Sequence, residues 1–107
     1  MARRPQEESD TAVETRTEKK VARPRMWKVL LHNDHYTTRE FVVMVLVDVF
    51  NKSETDAVQI MMHVHHKGMG VAGVYTHDVA QTKIDKVHRL ARAYEFPLKL
   101  SMEPEDD

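Results

Sequence analysis

Apolar patterning begins abruptly at Met26, and this boundary limits what the chain can fold into. The stretch 1–25 carries charges of both signs and few apolar residues, among them Val13 and Val21. Such a stretch buries too little apolar surface to offset the entropy lost on ordering, about 1–2 kcal/mol per residue for the backbone alone. The sequence therefore predicts a disordered extension over 1–25 and one small domain over 26–107.

Capping and turn residues divide the domain into short helical and extended segments. A strand rich in β-forming residues spans Met26–His32. The helix that follows runs from about 38 to 50, and Thr37 and Glu40 have the spacing of a capping box at its start. Ser53 opens a second helix, because a serine hydroxyl can accept a hydrogen bond from a backbone N–H group of the first turn.

The second half of the domain continues this alternation. Gly68 ends the second helix, a strand spans Met69–Thr76, and a third helix begins at Asp78. Its buried side is expected to carry Val79, Ile84, Val87, Leu90, Ala91 and Tyr94. Pro97 bars continuation of the helix, and 98–102 alternates as a last strand. The order β-α-α-β-α-β predicts an α+β fold, a small antiparallel three-stranded sheet with three helices packed on one face.

The charge balance, the cysteine content and the lengths of the apolar runs exclude several functional classes. The chain has 16 basic and 17 acidic residues and a formal net charge of −1, so no overall field attracts nucleic acid or anionic lipid. It has no cysteine for a disulfide, a thiol nucleophile or a cysteine-based zinc site. Its longest apolar run, 41–47, is far shorter than the roughly 20 residues of a membrane span. With no signal-like apolar region near its start, the chain is expected in the cytoplasm.

Histidines are frequent, and a metal-binding or enzymatic domain is therefore one alternative. The chain has 7 histidines, and the densest group is His63, His65 and His66. His63 and His66 share a helix face, but a zinc centre needs three or four ligands, so we predict no metal and no cofactor. Asp34 and His65 could act as an acid–base pair, but no nucleophile stands beside them, and we predict no enzymatic activity.

The loop after the first strand, 33–37, is the most informative segment for function. One interpretation is a plain connection that supplies turn and cap chemistry. The other is a binding loop, because its amide, carboxylate and hydroxyl oxygens are acceptors and a primary ammonium has three donors and no acceptor. Val42, Met61, Val64 and Leu98 could form an apolar pocket nearby. Together these residues would suit a ligand with an amine beside an apolar group.

Several segments together match the pattern of one known family. The segment 29–37, followed by Glu40, Phe41 and Val42, closely resembles the start of the core of ClpS adaptors. The later matches are Ala57, Met61, Val64, His65, Gly68, 73–76, 79–83, Pro97 and Leu98. The resemblance covers about residues 25–103 and implies a fold like the C-terminal domain of the ribosomal stalk protein, in agreement with the predicted order of elements.

The resemblance implies recognition of an N-degron, a destabilising residue at a protein's free N-terminus. ClpS adaptors bind Leu, Phe, Tyr or Trp there and deliver the protein to the ClpA-ClpP unfoldase-protease. By resemblance, Asn33 and His65 accept hydrogen bonds from the α-amino group, and Asp34, His35 and Thr37 complete the polar rim. The residues that match the pocket for the first side chain are Arg39, Val42, Met61, Val64 and Leu98.

The resemblance also implies a protein partner. Asp78 and Lys83 match the surface that binds the N-terminal domain of a ClpA-type unfoldase, and the extension 1–25 matches the segment that the unfoldase engages during delivery. We expect a monomer, with neither nucleic acid nor membrane as a partner. A further alternative is a ribosome-associated or nucleic-acid-binding module, which the stalk-like fold and the basic segment 23–25 would suit. Against it, the chain lacks a basic stripe and lacks aromatic residues for base stacking on a strand face.

Two positions depart from the family pattern. His35 replaces the second aspartate of an Asn-Asp-Asp run, and Arg39 replaces the methionine that gates the pocket. One negative charge near the bound ammonium is therefore missing, and the guanidinium adds a like charge. We predict a weaker or narrower binder than a typical member of the family.

Overall fold

The fold has the predicted order of elements. The structure, a computed structural model, describes residues 23–106, and most of the expected extension therefore lies outside the described residues. The elements are β1 (Met26–His32), α1 (Arg39–Asp48), α2 (Glu54–Lys67), β2 (Met69–Thr76), α3 (His77–Ala93) and β3 (Lys99–Pro104). The predicted fold class is confirmed, and β3 begins one residue later than the sequence predicted and extends two residues further.

The sheet has β1 at its centre and antiparallel neighbours on both sides, in the order β2-β1-β3. Trp27 of β1 pairs with Tyr75 of β2 and with Pro104 of β3. The register against β2 shifts between Val29 and Leu30, where β2 carries an additional residue. Such a bulge bends its strand locally and increases the twist of the pair.

The hydrophobic core lies between the helices and one face of the sheet. Val29 and Leu31 of β1 are fully buried on this face, and Leu30 between them points to the opposite face because side chains alternate along a strand. The other core residues are Phe41, Val42, Val45, Leu46, Val49, Phe50, Ala57, Met61, Val64, Ala72, Ala80, Ile84, Val87, Ala91, Leu98 and Leu100. All three helices therefore pack on one side of the sheet, as predicted.

The cap of α1 differs from the predicted one by a single residue. Thr38, rather than Thr37, is the N-cap, and its hydroxyl accepts a hydrogen bond of 3.1 Å from the backbone N–H of Phe41. The predicted capping box is wrong because the Thr37 hydroxyl has another partner and donates to the Asp34 carboxylate. The loop before α1 is thus held by its own hydrogen bonds.

The predicted ends of α2 are confirmed. The Ser53 hydroxyl accepts a hydrogen bond of 3.1 Å from the backbone N–H of Asp56, which satisfies a donor that the first turn leaves unpaired. Gly68 ends the helix with φ of 92°, a left-handed conformation that glycine adopts without steric cost.

The third helix begins one residue before the predicted Asp78, at His77. The prediction that Val79 and Tyr94 are buried is wrong, because their exposed fractions are 45% and 58%. The buried stripe of α3 consists of Ala80, Ile84, Val87 and Ala91. Val79 lies about 100° around the helix from the first of these, and Tyr94 follows the last helical residue and stacks on Phe96. Among residues 23–106, no helix is long and apolar enough to cross a membrane.

Candidate functional site

The loop between β1 and α1 is organised by the Asp34 carboxylate. Its Oδ1 accepts hydrogen bonds from the backbone N–H groups of Tyr36 (2.8 Å) and Thr37 (2.7 Å), and its Oδ2 accepts one from the Thr37 hydroxyl (2.8 Å). Burial raises the pKa of Asp34, but these hydrogen bonds and the nearby His35 outweigh burial and hold the pKa below its usual value. The carboxylate therefore carries its negative charge at neutral pH.

A backbone hydrogen bond fixes this loop against the end of α2. The Asn33 N–H donates to the Gly68 carbonyl over 2.9 Å, at the point where α2 turns into β2. His65 lies in the last turn of α2. The contact explains how two residues distant in sequence, Asn33 and His65, come to line the same cavity.

This cavity has a volume of about 620 Å³. The predicted site residues in its wall are Asn33, Asp34, His35, Thr37, Arg39, Val42, Met61, Val64 and His65. Leu98 is not part of this wall, and lies buried in the hydrophobic core before β3. The structure thus brings the predicted residues together from the loop, α1 and α2, with the exception of Leu98.

The cavity, called the loop cavity below, combines polar and apolar surface. Val42, Met61 and Val64 are buried core residues that also contribute to its wall. The polar residues come from the loop 33–37, from the start of α1 at 38–40 and from His65. An apolar wall with a few convergent polar groups is typical of sites that bind small molecules or the ends of peptides.

A direct hydrogen bond joins two predicted site residues, Arg39 at the start of α1 and His65 near the end of α2. The distance between Arg39 Nη2 and His65 Nε2 is 3.1 Å, and both side chains are exposed. A guanidinium has only donors, so His65 Nε2 accepts in this hydrogen bond, which requires the imidazole tautomer that has its proton on Nδ1. The sequence did not predict this contact.

Three further residues line the loop cavity that the sequence did not predict as site residues. They are Tyr36, Thr38 and Glu40. The side chain of Tyr36 is 76% exposed, and an aromatic residue in an otherwise polar loop is the signal that could have identified it. Thr38 and Glu40 have no such signal, since their sequence positions are explained by the start of a helix.

A second cavity of about 640 Å³ adjoins the first, in the groove between α1 and α2. Val43, Met44 and Val47 of α1 supply its apolar wall. Three acidic residues also line it, Glu40, Asp48 and Glu54. This groove, called the acidic groove below, shares Arg39, Glu40 and Met61 with the loop cavity.

The two residues predicted to bind an unfoldase have different surroundings. The Asp78 side chain is fully exposed at the start of α3. Lys83 is half-buried, and its ammonium donates a hydrogen bond of 2.7 Å to the carbonyl of Val49 at the end of α1. It also lies 5.2 Å from the ring centroid of Tyr75 and 5.9 Å from that of Phe50. Lys83 therefore has a structural role that the sequence did not predict.

Histidines and carboxylates are the candidate metal ligands of this chain. Within residues 23–106, no three such side chains are grouped closely enough to hold a metal ion. The rings of His65 and His66 have centroids 5.3 Å apart. Two imidazoles are fewer ligands than a zinc centre requires.

Comparisons with known proteins agree on one family. The model of the family described as "ATP-dependent Clp protease adaptor protein ClpS" matches residues 22–101. The chain is 58% identical over 106 residues to an ATP-dependent Clp protease adapter protein ClpS of Myxococcus xanthus, with 99% of each chain covered. It is 64% identical over 91 residues to that of Desulfatibacillum aliphaticivorans, with 85% of this chain and 88% of the relative covered.

A solved structure extends the similarity to three dimensions. Agrobacterium tumefaciens ClpS2 bound to L-phenylalaninamide superposes with a TM-score of 0.74 and 43% sequence identity, over 78% of this chain and 100% of the other. The family predicted from the residues is thus confirmed by sequence and by fold. The chain belongs to the ClpS family of ATP-dependent Clp protease adaptor proteins.

Proposed function

We propose that this adaptor binds the free N-terminus of N-degron substrates that begin with Leu, Phe, Tyr or Trp, and delivers them to a ClpA-ClpP-type protease. The observation that carries this function is the loop cavity, where acceptor groups lie beside buried apolar side chains. The structural relative from Agrobacterium tumefaciens is bound to L-phenylalaninamide, a molecule with a free α-amine beside a benzyl group. That ligand has the two features that this cavity would recognise.

The polar side of the loop cavity suits an α-ammonium. Such a group has three donors and one positive charge. The Asn33 side-chain carbonyl and His65 Nε2 would accept two of its hydrogen bonds, and the ionised Asp34 would supply the negative charge. Thr37 and His35 lie on the same rim. Hydrogen bonds to charged groups contribute about 1.5–3 kcal/mol each, so the amine would be a principal determinant of affinity.

The apolar side suits a large first side chain. Val42, Met61 and Val64 would contact it, and burying a Leu or Phe side chain contributes about 1.5–3 kcal/mol. The unbranched Met61 can adapt to aliphatic and aromatic shapes. Leu98 would support this wall from within the core. The cavity volume of about 620 Å³ is sufficient for one such side chain and the adjoining backbone.

Delivery would use a different surface. Asp78 and Lys83 lie on α3, which contributes no residue to the loop cavity. A ClpA-type N-terminal domain bound there would leave the substrate site accessible. In this role the chain binds and transfers substrates as a cytoplasmic monomer, and catalysis takes place in the protease.

The decisive experiment is a titration with fluorescent peptides that differ only at their N-terminus. Peptides that begin with Phe, Tyr, Trp or Leu are expected to bind, and a peptide that begins with Gly is not. N-acetylation of the Phe peptide is expected to abolish binding, because it removes the charge and two donors of the ammonium. Equal anisotropy curves for the free and acetylated peptides would contradict this function.

A further inference from the structure

Arg39 occupies a position that the stability of α1 does not explain. It is the first residue of the helix, where the macrodipole disfavours a positive charge. Its side chain is exposed, and its guanidinium donates a hydrogen bond to His65 Nε2 over 3.1 Å. The contact links α1 to α2 beside the loop cavity, which both residues line.

The atom that Arg39 contacts is the acceptor assigned above to the substrate's α-ammonium. Both groups are cationic donors without an acceptor, so they compete for His65 Nε2. From this competition we infer that Arg39 is a placeholder for the substrate amine, which means that it occupies the hydrogen-bonding position at His65 until the amine binds there. This inference rests on the proposed function. In the free protein its guanidinium occupies the Nε2 lone pair and favours the His65 tautomer with the proton on Nδ1, the form that can accept a hydrogen bond from the substrate amine.

When substrate binds, the Arg39 side chain moves from His65 into the acidic groove. Arg39 lines this groove as well as the loop cavity, so its side chain lies at their common border. The groove is also lined by three acidic residues, Glu40, Asp48 and Glu54, whose carboxylates carry negative charge. An incoming ammonium repels the guanidinium, whereas these carboxylates attract it. Arg39 would therefore alternate between two positions, the observed one bound to His65 and a second one in the acidic groove.

The contact between Arg39 and His65 lowers the affinity for peptides. Because His65 is engaged in the free protein, the apparent affinity for every N-terminal peptide is reduced by the fraction of molecules in which Arg39 is bound to it. The same contact orients the acceptor before substrate arrives. Arg39 is thus a positioning residue for His65 and a competitor of the ligand.

The first measurement is made on the free protein by NMR of the His65 ring nitrogens. In the wild type we expect the tautomer with the proton on Nδ1. In Arg39→Met the donor is lost, and we expect a shift toward the tautomer with the proton on Nε2. Arg39→Lys keeps one cationic donor and should restore part of the wild-type signal. Arg89→Met is the matched control, since Arg89 is an exposed arginine on α3 and lines neither cavity.

The second measurement is peptide affinity. We expect Arg39→Met to bind a Phe-started peptide about fivefold more tightly, which corresponds to about 1 kcal/mol and is the upper range for an exposed side-chain contact. Glu54→Gln should weaken binding about twofold in the wild-type background and have no effect in Arg39→Met, because only the arginine uses that carboxylate. Thermal melts of all variants verify that folding is unchanged.

The outcomes separate the placeholder from the proposed function. An unchanged His65 tautomer in Arg39→Met, with normal peptide binding, overturns the placeholder role alone. The placeholder role is likewise overturned if Arg39→Met binds peptide no more tightly than wild type, or if Glu54→Gln has equal effects in both backgrounds. The expected tautomer shift together with no binding of any N-terminal peptide overturns the placeholder and the proposed function together.

Discussion

The two ends of α1 each have a cationic side chain beside them, and the surroundings of the two cations differ. At the C-terminal end, the half-buried Lys83 donates to the Val49 carbonyl over 2.7 Å, where the helix dipole favours a positive charge. At the N-terminal end, the exposed Arg39 donates to His65 over 3.1 Å, where the dipole is unfavourable. The first contact satisfies a backbone carbonyl within the fold, whereas the second joins two exposed side chains that both line the loop cavity.

This difference separates two classes of polar contact in the molecule. Contacts that satisfy backbone groups inside the fold, such as the one from Lys83, should affect stability when they are removed and leave ligand binding unchanged. Removing a contact between exposed side chains at the loop cavity should change ligand binding and leave stability unchanged. Each class can be tested with variants for which the chain itself supplies a closely matched control.

The largest expected effect is the loss of ligand binding when an acceptor at the loop cavity is removed. His65→Ala and Asn33→Ala should each weaken binding of a Phe-started peptide about 10- to 150-fold, because each removes a partner of a charged donor worth about 1.5–3 kcal/mol. Fluorescence anisotropy gives the affinity. Both side chains are exposed, so the melting temperatures should remain close to that of the wild type.

His66→Ala is the control for His65→Ala. His66 is the next residue on α2, is exposed, and lines neither cavity. It should bind peptide like the wild type. If His65→Ala and Asn33→Ala unfold at much lower temperature, these residues act in stability and the distinction between the two ends of α1 fails.

The second largest expected effect is a loss of stability when the Lys83 side chain is replaced. Lys83→Met should destabilise the domain by about 1–3 kcal/mol, because the carbonyl of the buried Val49 loses its donor. In a domain of this size, each kcal/mol lowers the melting temperature by about 4–8 °C. Peptide affinity should not change. Lys86→Met, an exposed lysine of the same helix, is the control and should melt like the wild type, and an equally stable Lys83→Met would contradict the structural role.

The contact between Lys83 and the end of α1 affects how unfoldase binding can be tested. Loss of binding to an unfoldase in a Lys83 variant could arise from a disturbed end of α1 rather than from a lost contact. Asp78 is the cleaner position, because its side chain is fully exposed. A binding defect of Asp78→Ala at an unchanged melting temperature would indicate that the start of α3 is part of the unfoldase-binding surface.

The fold was predictable wherever one local signal acts alone. Ser53 and Gly68 mark the ends of α2 as the sequence indicated, since each is the residue that its cap chemistry favours. Thr37 was the wrong cap because two threonines stand in succession, and the choice depends on Asp34, which takes the hydroxyl of the first. Local spacing cannot decide between neighbours that share one chemistry.

The candidate site was predictable as a set of residues but not as a set of contacts. The hydrogen bond between Arg39 and His65 joins residues 26 positions apart, and that between Lys83 and Val49 joins residues 34 apart. No local pattern specifies such pairs. The position of Leu98 in the core rather than in the cavity wall also depends on how the strand packs on the helices.

The smallest expected effect comes from another polar contact inside the fold, between α3 and β3. His88 Nε2 accepts a hydrogen bond of 3.0 Å from the backbone N–H of Leu100. Burial lowers the pKa of His88, Asp85 opposes this shift, and Arg92 adds to it, with a net pKa below the ordinary 6.5. Protonation would both remove the acceptor and place a charge in a half-buried position.

The sign of the pH effect follows from this lowered pKa. The folded state disfavours protonated His88, so its contribution to stability is complete above pH 6.5, the ordinary value, and is lost as the pH falls below it. We expect the melting temperature to fall between about pH 7.5 and about pH 5.5, and to fall by a few degrees less in His88→Gln. Glutamine can accept the Leu100 hydrogen bond and does not titrate. Because the other histidines are common to both proteins, equal pH dependence of the two melting temperatures would show that His88 is not the group that weakens the fold in acid.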